Sequence, residues 1–416
     1  MVISATNVQE LSHPMGRSVW TLSVVIPAYN EENGIGAIIE RVLAIKPDLA
    51  QVGIADLEVI VVDDGSSDRT AEIAQAYPQV RLIRHETNKG YGAALKTGFR
   101  AARGELLGFL DADGTYPPES FPKLCAEALQ GADLVVGSRR SGNDSEMPVV
   151  RRVGNFLWSH LVSLLSNYRV VDPASGMRVF RSSVFQQLCP LPDGLNFTPV
   201  MSTRAVHEGL RMIEVPISYE ERAGRSKLSV VRDGTRFLRT IIWTSLNYNP
   251  VRVLGGLGLG ALVLGGLVAL GLVIARLRGI TTLGPWGVAA TFVAVVLGIA
   301  GVDLFALGAT FNYLVSLFHS RPMRQGLFGR PLFRVPLDRH FWWFGGVAML
   351  SGMGLGVGSL ILALGGWPIE RLWLYLLAGV MWILVGVQLV IFWVIMRVLE
   401  ELSQRSILAQ ADAGMS

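Results

Sequence analysis

Residues 109–120 read FLDADGTYPPES. Asp111 and Asp113 sit one residue apart where the apolar run ELLGFL stops, and Gly114, Pro117 and Pro118 turn the chain at once. Alternate residues of an extended chain point to one side, so both carboxylates could grip one ligand. Paired oxygens suit a hard divalent ion, Mg²⁺ or Mn²⁺, which usually also takes the phosphate oxygens of a substrate. An EF-hand is excluded, because Thr115 and Tyr116 stand where that loop needs a ligand and a glycine. A Walker phosphate loop is absent from the sequence, so phosphates would have to be held by the metal and by basic side chains.

The residues around that pair must place it at the mouth of a strand. TLSVVIPAYN, LEVIVVDDGSSD, VRLIRHE, ELLGFLDADG and ADLVVGSRR are short apolar runs, and helical patterns alternate with them. Continuous apolar strands between helices imply a parallel sheet covered on both faces. Ligands of such sheets sit beyond the carboxyl ends of the strands. Those ends carry Tyr29, Glu31, Asp63, Asp64, Asp111, Asp113 and Arg139, a polar ring at the expected place.

Half of the 416 residues are hydrophobic, too many for a purely soluble chain, and the charges concentrate before residue 253. A net charge of +4 is small for this length and does not suggest a nucleic-acid binder. Cys125 and Cys189 lie far apart, without metal-ligand spacing, as expected of reduced thiols. Residues 1–20 are mixed and polar and do not read as a signal peptide. Residues 253–275, 286–307, 342–366 and 372–396 are each apolar and long enough for a span of about 20 residues. Gly256 with Gly260, and Gly352 with Gly356, have the small-residue spacing that lets helices approach closely. Five arginines in 319–341 assign that loop, the first half and the tail to the cytoplasmic side. Asp303 falls near the inner end of the second span, where an interfacial position or a partner in the bundle is expected. Residues 228–246 combine Leu228, Val231, Leu238, Ile241, Ile242 and Trp243 with Arg232, Arg236 and Arg239, as an interfacial helix would, and 149–165 has similar character.

VVIPAYNEE, VVDDGSSD, NKGYGAALKTGFRAARG and DADGTYPPE, in that order, resemble family 2 glycosyltransferases of the GT-A fold. VGSR, DPASGMRVFR and ERAGRSKLS narrow the resemblance to dolichol- or polyprenyl-phosphate sugar synthases, over about residues 20–250. The fold implied is an α/β GT-A domain, Rossmann-like with a mainly parallel sheet, followed by four transmembrane helices. Expected divisions are an extension (1–20), the catalytic domain (21–227), an amphipathic interfacial helix (228–250), a transmembrane hairpin (251–318), an Arg-rich cytoplasmic loop (319–341), a second hairpin (342–397) and a cytoplasmic tail (398–416). Several members of the group have one hairpin; this chain has two.

Carried over by position, the resemblance assigns Pro27, Tyr29 and Glu31 to the nucleoside pocket and the pair Asp63/Asp64 to base or ribose, without deciding which Asp makes the contact. Lys89 and Gly90 would lie beside the nucleotide, and Asp111, Ala112 and Asp113 would hold nucleotide and metal. Arg139, Arg151 or Arg152, Arg178, Arg222, Ser226 and Lys227 would neutralise donor diphosphate and acceptor phosphate. Asp172 would orient the acceptor or act as base, or serve only as a turn former before Pro173. Thr115 stands where close relatives often carry Gln, a position that can touch metal or phosphate.

The segment 195–206, where hydroxyl-using relatives tend to carry an acidic base, has no acid. A lipid phosphate, already ionised, needs none. The expected activity is therefore inverting transfer of a hexose from a UDP- or GDP-sugar to polyprenyl phosphate, at the cytoplasmic face of the inner membrane. Homo-oligomers through the membrane helices fit this reading. The alternatives are a polysaccharide-synthase type of transferase, whose Gln-x-x-Arg-Trp motif is absent here, and a non-enzymatic scaffold, in which the acidic pair or the basic cluster should have decayed.

Overall fold

Runs of β-branched and aliphatic residues form strands whose inner positions are shut from solvent on both faces. The computed structural model describes residues 20–139, 149–166, 168–219, 230–280, 284–319 and 337–412. Its strands are β1 (Trp20–Ala28), β2 (Ile54–Asp63), β3 (Val80–Arg84), β4 (Leu106–Phe109), β5 (Leu134–Ser138), β6 (Arg178–Arg181) and β7 (Met212–Pro216). They form one sheet in the order β3-β2-β1-β4-β6-β5-β7. The five strands expected from the sequence are β1 to β5. All pairings are parallel except those of β6, which runs antiparallel to β4 and β5.

That one reversal matters for the site. A parallel strand delivers its trailing residues to the carboxyl edge, whereas β6 delivers the turn that leads into it. Asp172 and Gly176 reach the edge in this way, and Arg178 pairs with Phe109 of β4 and Val136 of β5.

Thirteen helices are named in chain order: α1 (Ile35–Ala44), α2 (Lys46–Gln51), α3 (Thr70–Gln75), α4 (Tyr91–Ala101), α5 (Phe121–Leu129), α6 (Val149–Ser166), α7 (Phe185–Leu188), α8 (Phe197–His207), α9 (Val230–Tyr248), α10 (Gly256–Leu277), α11 (Pro285–His319), α12 (Phe341–Leu364) and α13 (Ile369–Asp412). In α1, Ile35, Ile38, Ile39 and Val42 recur at helical spacing and are buried against the sheet. On the other face, Phe99 of α4 meets Phe109 at 5.8 Å and Phe180 at 5.1 Å, edge on. The chain divides into two compact units, one holding the sheet and running to Thr240, the other holding Leu164–Asn167 and everything from Ile241.

Within the first unit, α6 turns Asn155, Ser159 and Val162 inward while Val153, Phe156 and Leu157 are about half exposed. Ser159 donates to the carbonyl of Val170 at 2.6 Å. Trp158 of α6 meets Phe237 of α9 edge on at 6.4 Å.

The second unit contains four helices long and apolar enough to cross a membrane, spanning Val251–Leu277, Pro285–Val315, Leu337–Leu364 and Leu374–Leu402. The close approaches do not use the spacing of four expected from the sequence. A Cβ added at Gly256, Gly260 or Gly356 would meet nothing, whereas Gly258 lies against Gly301 and Phe305, and Gly265 against Leu297. In the other pair of helices, Gly345 and Gly352 press on Gly386 and Gly379. These contacts recur every seven residues, the period at which nearly aligned helices return the same face to each other. Helix α11 continues past residue 307 to His319, so Asp303 lies within it and not at its end. The Nε2 of Gln388 in α13 donates to Asp303 Oδ2 at 3.0 Å, the partner within the bundle that such a residue needs.

Candidate active site

The carboxyl edge carries two acidic pairs, one after β2 and one after β4, and the structure treats them differently. Asp63 and Asp64 are both buried. Asp63 Oδ1 accepts from the amide of Ser66 at 3.1 Å, and its Oδ2 accepts from Arg84 Nε at 3.3 Å. Asp64 Oδ1 accepts from the amide of Lys89 at 2.9 Å, and Oδ2 from that of Gly90 at 2.8 Å. His85 Nδ1 lies 2.7 Å from Asp64 Oδ1, and its other ring nitrogen is 3.0 Å from Thr97 Oγ1. Asp64 thus anchors the turn before α4. Gly90 adopts φ 102°, which a side chain would resist.

Lys89 and Gly90 are held through their amides. The first turn of α4 is closed by a carbonyl, because Gly92 and Ala93 donate to Asp193 O at 2.7 and 3.2 Å. The loop after β1 is sewn to the loop after β2: Asn30 N donates to Ser66 Oγ at 2.9 Å, and Glu31 N to Thr70 Oγ1 at 2.8 Å. Pro27 stands opposite Val62, one pair before the ladder ends, while Tyr29 stands 39% exposed at the edge.

The second pair is half-buried, and β4 stops at Phe109, so Asp111 and Asp113 do not alternate along an extended strand as expected. Ala112 and Asp113 are already in a turn, and each carboxylate is aimed by its own neighbours. The hydroxyl of Tyr91, the first residue of α4, donates to Asp111 Oδ1 at 2.8 Å. Gly176 leans on the same carboxylate, and a Cβ there would collide with Asp111 Oδ2. Its amide is fixed by Tyr116 Oη at 2.7 Å. Thr115 is buried, and its amide and hydroxyl donate to Asp113 Oδ1 at 3.2 and 2.6 Å. It steers the acid and is not open to a ligand, contrary to the sequence expectation.

Beside this pair lies a buried ion pair. Arg139 Nε and Nη2 donate to Asp172 Oδ2 and Oδ1 at 2.8 and 2.7 Å, and the Arg139 amide adds a third bond at 3.0 Å. Asn155 Nδ2 donates to Asp172 Oδ1 at 2.9 Å. The guanidinium carbon lies 5.5 Å from the ring centre of Tyr219 and 5.9 Å from that of Tyr116. Burial works against a charged Asp172, but Arg139 and these donors hold its carboxyl below the usual carboxylate range. Glu214 receives the amides of Val171 and Asp172 and is pushed up by burial. Arg178, expected at a phosphate, is instead wholly buried and braces the turn before β6. Its Nη2 donates to Pro173 O at 2.7 Å and its Nε to Ser175 O at 3.1 Å, and burial pushes its pKa down to about 10. Arg152 is exposed on α6; the side chain of Arg151, and Arg222, Ser226 and Lys227, lie outside the described residues.

A family model described as Glycosyl transferase family 2 matches residues 23–189. One described as a domain of unknown function, DUF8752, matches 250–410. An undecaprenyl-phosphate 4-deoxy-4-formamido-L-arabinose transferase of Edwardsiella ictaluri (strain 93-146) is 30% identical over 321 residues, which are 75% of this chain and 94% of the relative. The chain belongs to glycosyltransferase family 2. A dolichyl-phosphate hexose transferase of Haloferax volcanii is 33% identical to this glycosyltransferase over 53% of the chain and 92% of the relative. Among solved structures, glucosyl-3-phosphoglycerate synthase from Mycobacterium tuberculosis is 22% identical at a TM-score of 0.46, over 54% of this chain and 78% of that one.

Several residues that shape the glycosyltransferase's edge escaped the sequence reading: Tyr91, Tyr116, Asn155, Gly176 and Glu214. Tyr91 lies inside a quoted motif, but nothing in its spacing tells that it reaches across the edge to Asp111. Asn155 sits on a helix read only as amphipathic.

Proposed function

We propose that the enzyme transfers a hexose from a UDP- or GDP-sugar to a polyprenyl phosphate, with inversion. One observation carries the choice of acceptor: among the described residues, neither segment 195–206 nor the carboxylates Asp172 and Asp193 offer a base for a hydroxyl. Segment 195–206, which includes most of α8, has no acid. Asp172 is locked to Arg139 in the charged state, and the nearby Asp193 pairs with Lys96 at 2.5 Å. A phosphate arrives ionised and needs no base. The two relatives named for undecaprenyl and dolichyl phosphate support the same acceptor.

In the reaction, a phosphate oxygen of the lipid forms a bond to the anomeric carbon. The bond from that carbon to the donor diphosphate breaks, and the nucleoside diphosphate leaves with the electron pair. Asp111 and Asp113 fit a hard divalent cation, since they are half-buried carboxylates two residues apart, and oxygen ligands suit such an ion. Among the described residues they have no third His, Cys, Asp or Glu grouped with them, as expected of a site completed by water and substrate phosphates. Bound there, Mg²⁺ or Mn²⁺ would neutralise charge growing on the diphosphate. The segment around Tyr29, Glu31 and Asp63 would hold the nucleoside. Arg152, with Arg222 and Lys227, would meet the lipid phosphate, while Arg139 and Asp172 fix the wall between the two substrates.

The half-exposed apolar residues of α6 and the basic α9 suit an anionic leaflet. The site would face the cytoplasm at the inner membrane, with loop 319–341 and both termini on that side. We keep the domain boundaries expected from the sequence. The test presents membranes bearing the enzyme with UDP- and GDP-hexoses and either polyprenyl phosphate or polyprenol. A β-linked lipid phosphosugar from the phosphate alone is expected with an α-linked donor. An α-linked product, or equal use of polyprenol, would overturn the mechanism.

A further inference from the structure

Asp111, in the second acidic pair, is held by the hydroxyl of a residue on α4. Tyr91 spans from α4, beside the turn that Asp64 anchors, to the turn after β4. Its backbone is fixed on both flanks. Asp64 Oδ2 holds the amide of Gly90 before it, and Asp193 O holds that of Gly92 after it at 2.7 Å. The glycines are obligatory, because side chains at either position would collide with the backbone at Asp193 or Pro192. The ring is set edge on against Phe197 of α8, with centroids 6.5 Å apart. A side chain so constrained has few rotamers, and its hydroxyl has one charged acceptor, at 2.8 Å.

A strong neutral-to-charged hydrogen bond of this kind fixes a carboxylate's rotation about its Cβ–Cγ axis. With Gly176 pressed against the same carboxylate, its rotation is restricted and the direction of its remaining lone pairs is set before any cation arrives.

We propose that Tyr91 is a positioning residue for the divalent-cation site: its hydroxyl pre-orients Asp111 and thereby ties cation affinity to the turn at Lys89–Gly90. This inference rests on the reading of Asp111 and Asp113 as cation ligands. An orienting hydrogen bond to a ligand commonly changes metal affinity by about ten- to a hundred-fold. At saturating cation the loss should be largely recovered, because Tyr91 touches Asp111 and not the reacting atoms.

The experiment measures Mn²⁺ binding to the full-length protein in detergent, by electron paramagnetic resonance of free Mn²⁺, without donor or acceptor. Four proteins are compared: wild type, Asp113→Asn, Tyr91→Phe and Phe197→Leu. Wild type should bind, and Asp113→Asn should not. Tyr91→Phe, which keeps the ring and removes only the hydroxyl, should bind roughly ten-fold or more weakly. It should unfold at the wild-type temperature and regain turnover at high Mn²⁺. Phe197→Leu, which disturbs the ring contact and leaves the hydroxyl, should bind like wild type. Wild type that binds no Mn²⁺, or binds it regardless of Asp113, removes the metal reading and this inference with it. Wild-type affinity in Tyr91→Phe removes the inference alone. An equal loss in Phe197→Leu, or failure of Tyr91→Phe to fold, assigns Tyr91 to packing and also overturns the proposal.

Discussion

Two acidic pairs stand two strands apart on one sheet edge, and they are held in different ways. Asp63 and Asp64 end β2 inside the protein, with their oxygens given to the amides of Ser66, Lys89 and Gly90. Asp111 and Asp113 follow β4 in a half-buried turn and are aimed by two hydroxyls, those of Tyr91 and Thr115. A carboxylate whose oxygens bind backbone amides helps to frame the site. One that is steered by a side-chain hydroxyl and still reaches solvent can be offered to a ligand. The residue types are the same, so the distinction lies in what surrounds them.

The sharpest way to break this contrast is to neutralise one acid of each pair. Asp113→Asn keeps shape and removes an anionic ligand, so turnover should fall roughly a thousand-fold, about 4 kcal/mol of barrier, with folding intact. Turnover of the wild type that survives EDTA, or near-normal turnover of the variant, would place Asp113 in the frame as well. Asp172→Asn should act on stability instead, because it leaves the Arg139 guanidinium buried without its partner, a loss of about 3–5 kcal/mol. Thermal unfolding checks this, and an unchanged melting temperature would refute it.

Asp172 also predicts a pH dependence. Its folded pKa is depressed, so its contribution is complete above the unfolded value of about 3.9 and fades as pH falls through the lower folded value. Urea unfolding between pH 7 and pH 3 should therefore show an acid-side loss that Asp172→Asn reduces. Equal slopes in both proteins would contradict it.

Asp64→Asn should cost about 2 kcal/mol, since an amide nitrogen would face donors where an acceptor is needed. Thermal unfolding checks this too, and an unchanged melting temperature would refute it. Least affected should be Gln388→Leu in the helical unit. Hydrogen bonds between membrane helices average about 0.6 kcal/mol, so a small fall in resistance to unfolding in detergent is expected, with transfer intact.

Much of the fold was legible because its strands are buried on both faces and announce themselves as unbroken apolar runs. Strands β6 and β7 were not, because Arg178 and Arg181 bound β6 and Glu214 interrupts β7, so neither is an unbroken apolar run. The acidic pair after β4 could be singled out by its place at a strand's mouth. Its geometry could not, since the contact with Tyr91 joins residues 20 positions apart across the edge. The ion pair of Arg139 and Asp172 was hidden for the same reason. Both residues were picked as site members, but a separation of 33 positions conceals that each is the other's partner. In the helices, hydropathy marked the spans, while which glycines touch depends on helix alignment that hydropathy does not carry.

Helix α6 wears its chemistry inside out: Asn155 and Ser159 point to the protein and Val153, Phe156 and Leu157 point away. In water that arrangement is a liability, an adhesive strip that would draw copies of the chain together. Pared of its last four helices and left with α6 and α9, the enzyme should therefore still sediment with vesicles and clump without them. Detachment from a lipid surface would require replacing the strip, not merely cutting the anchor.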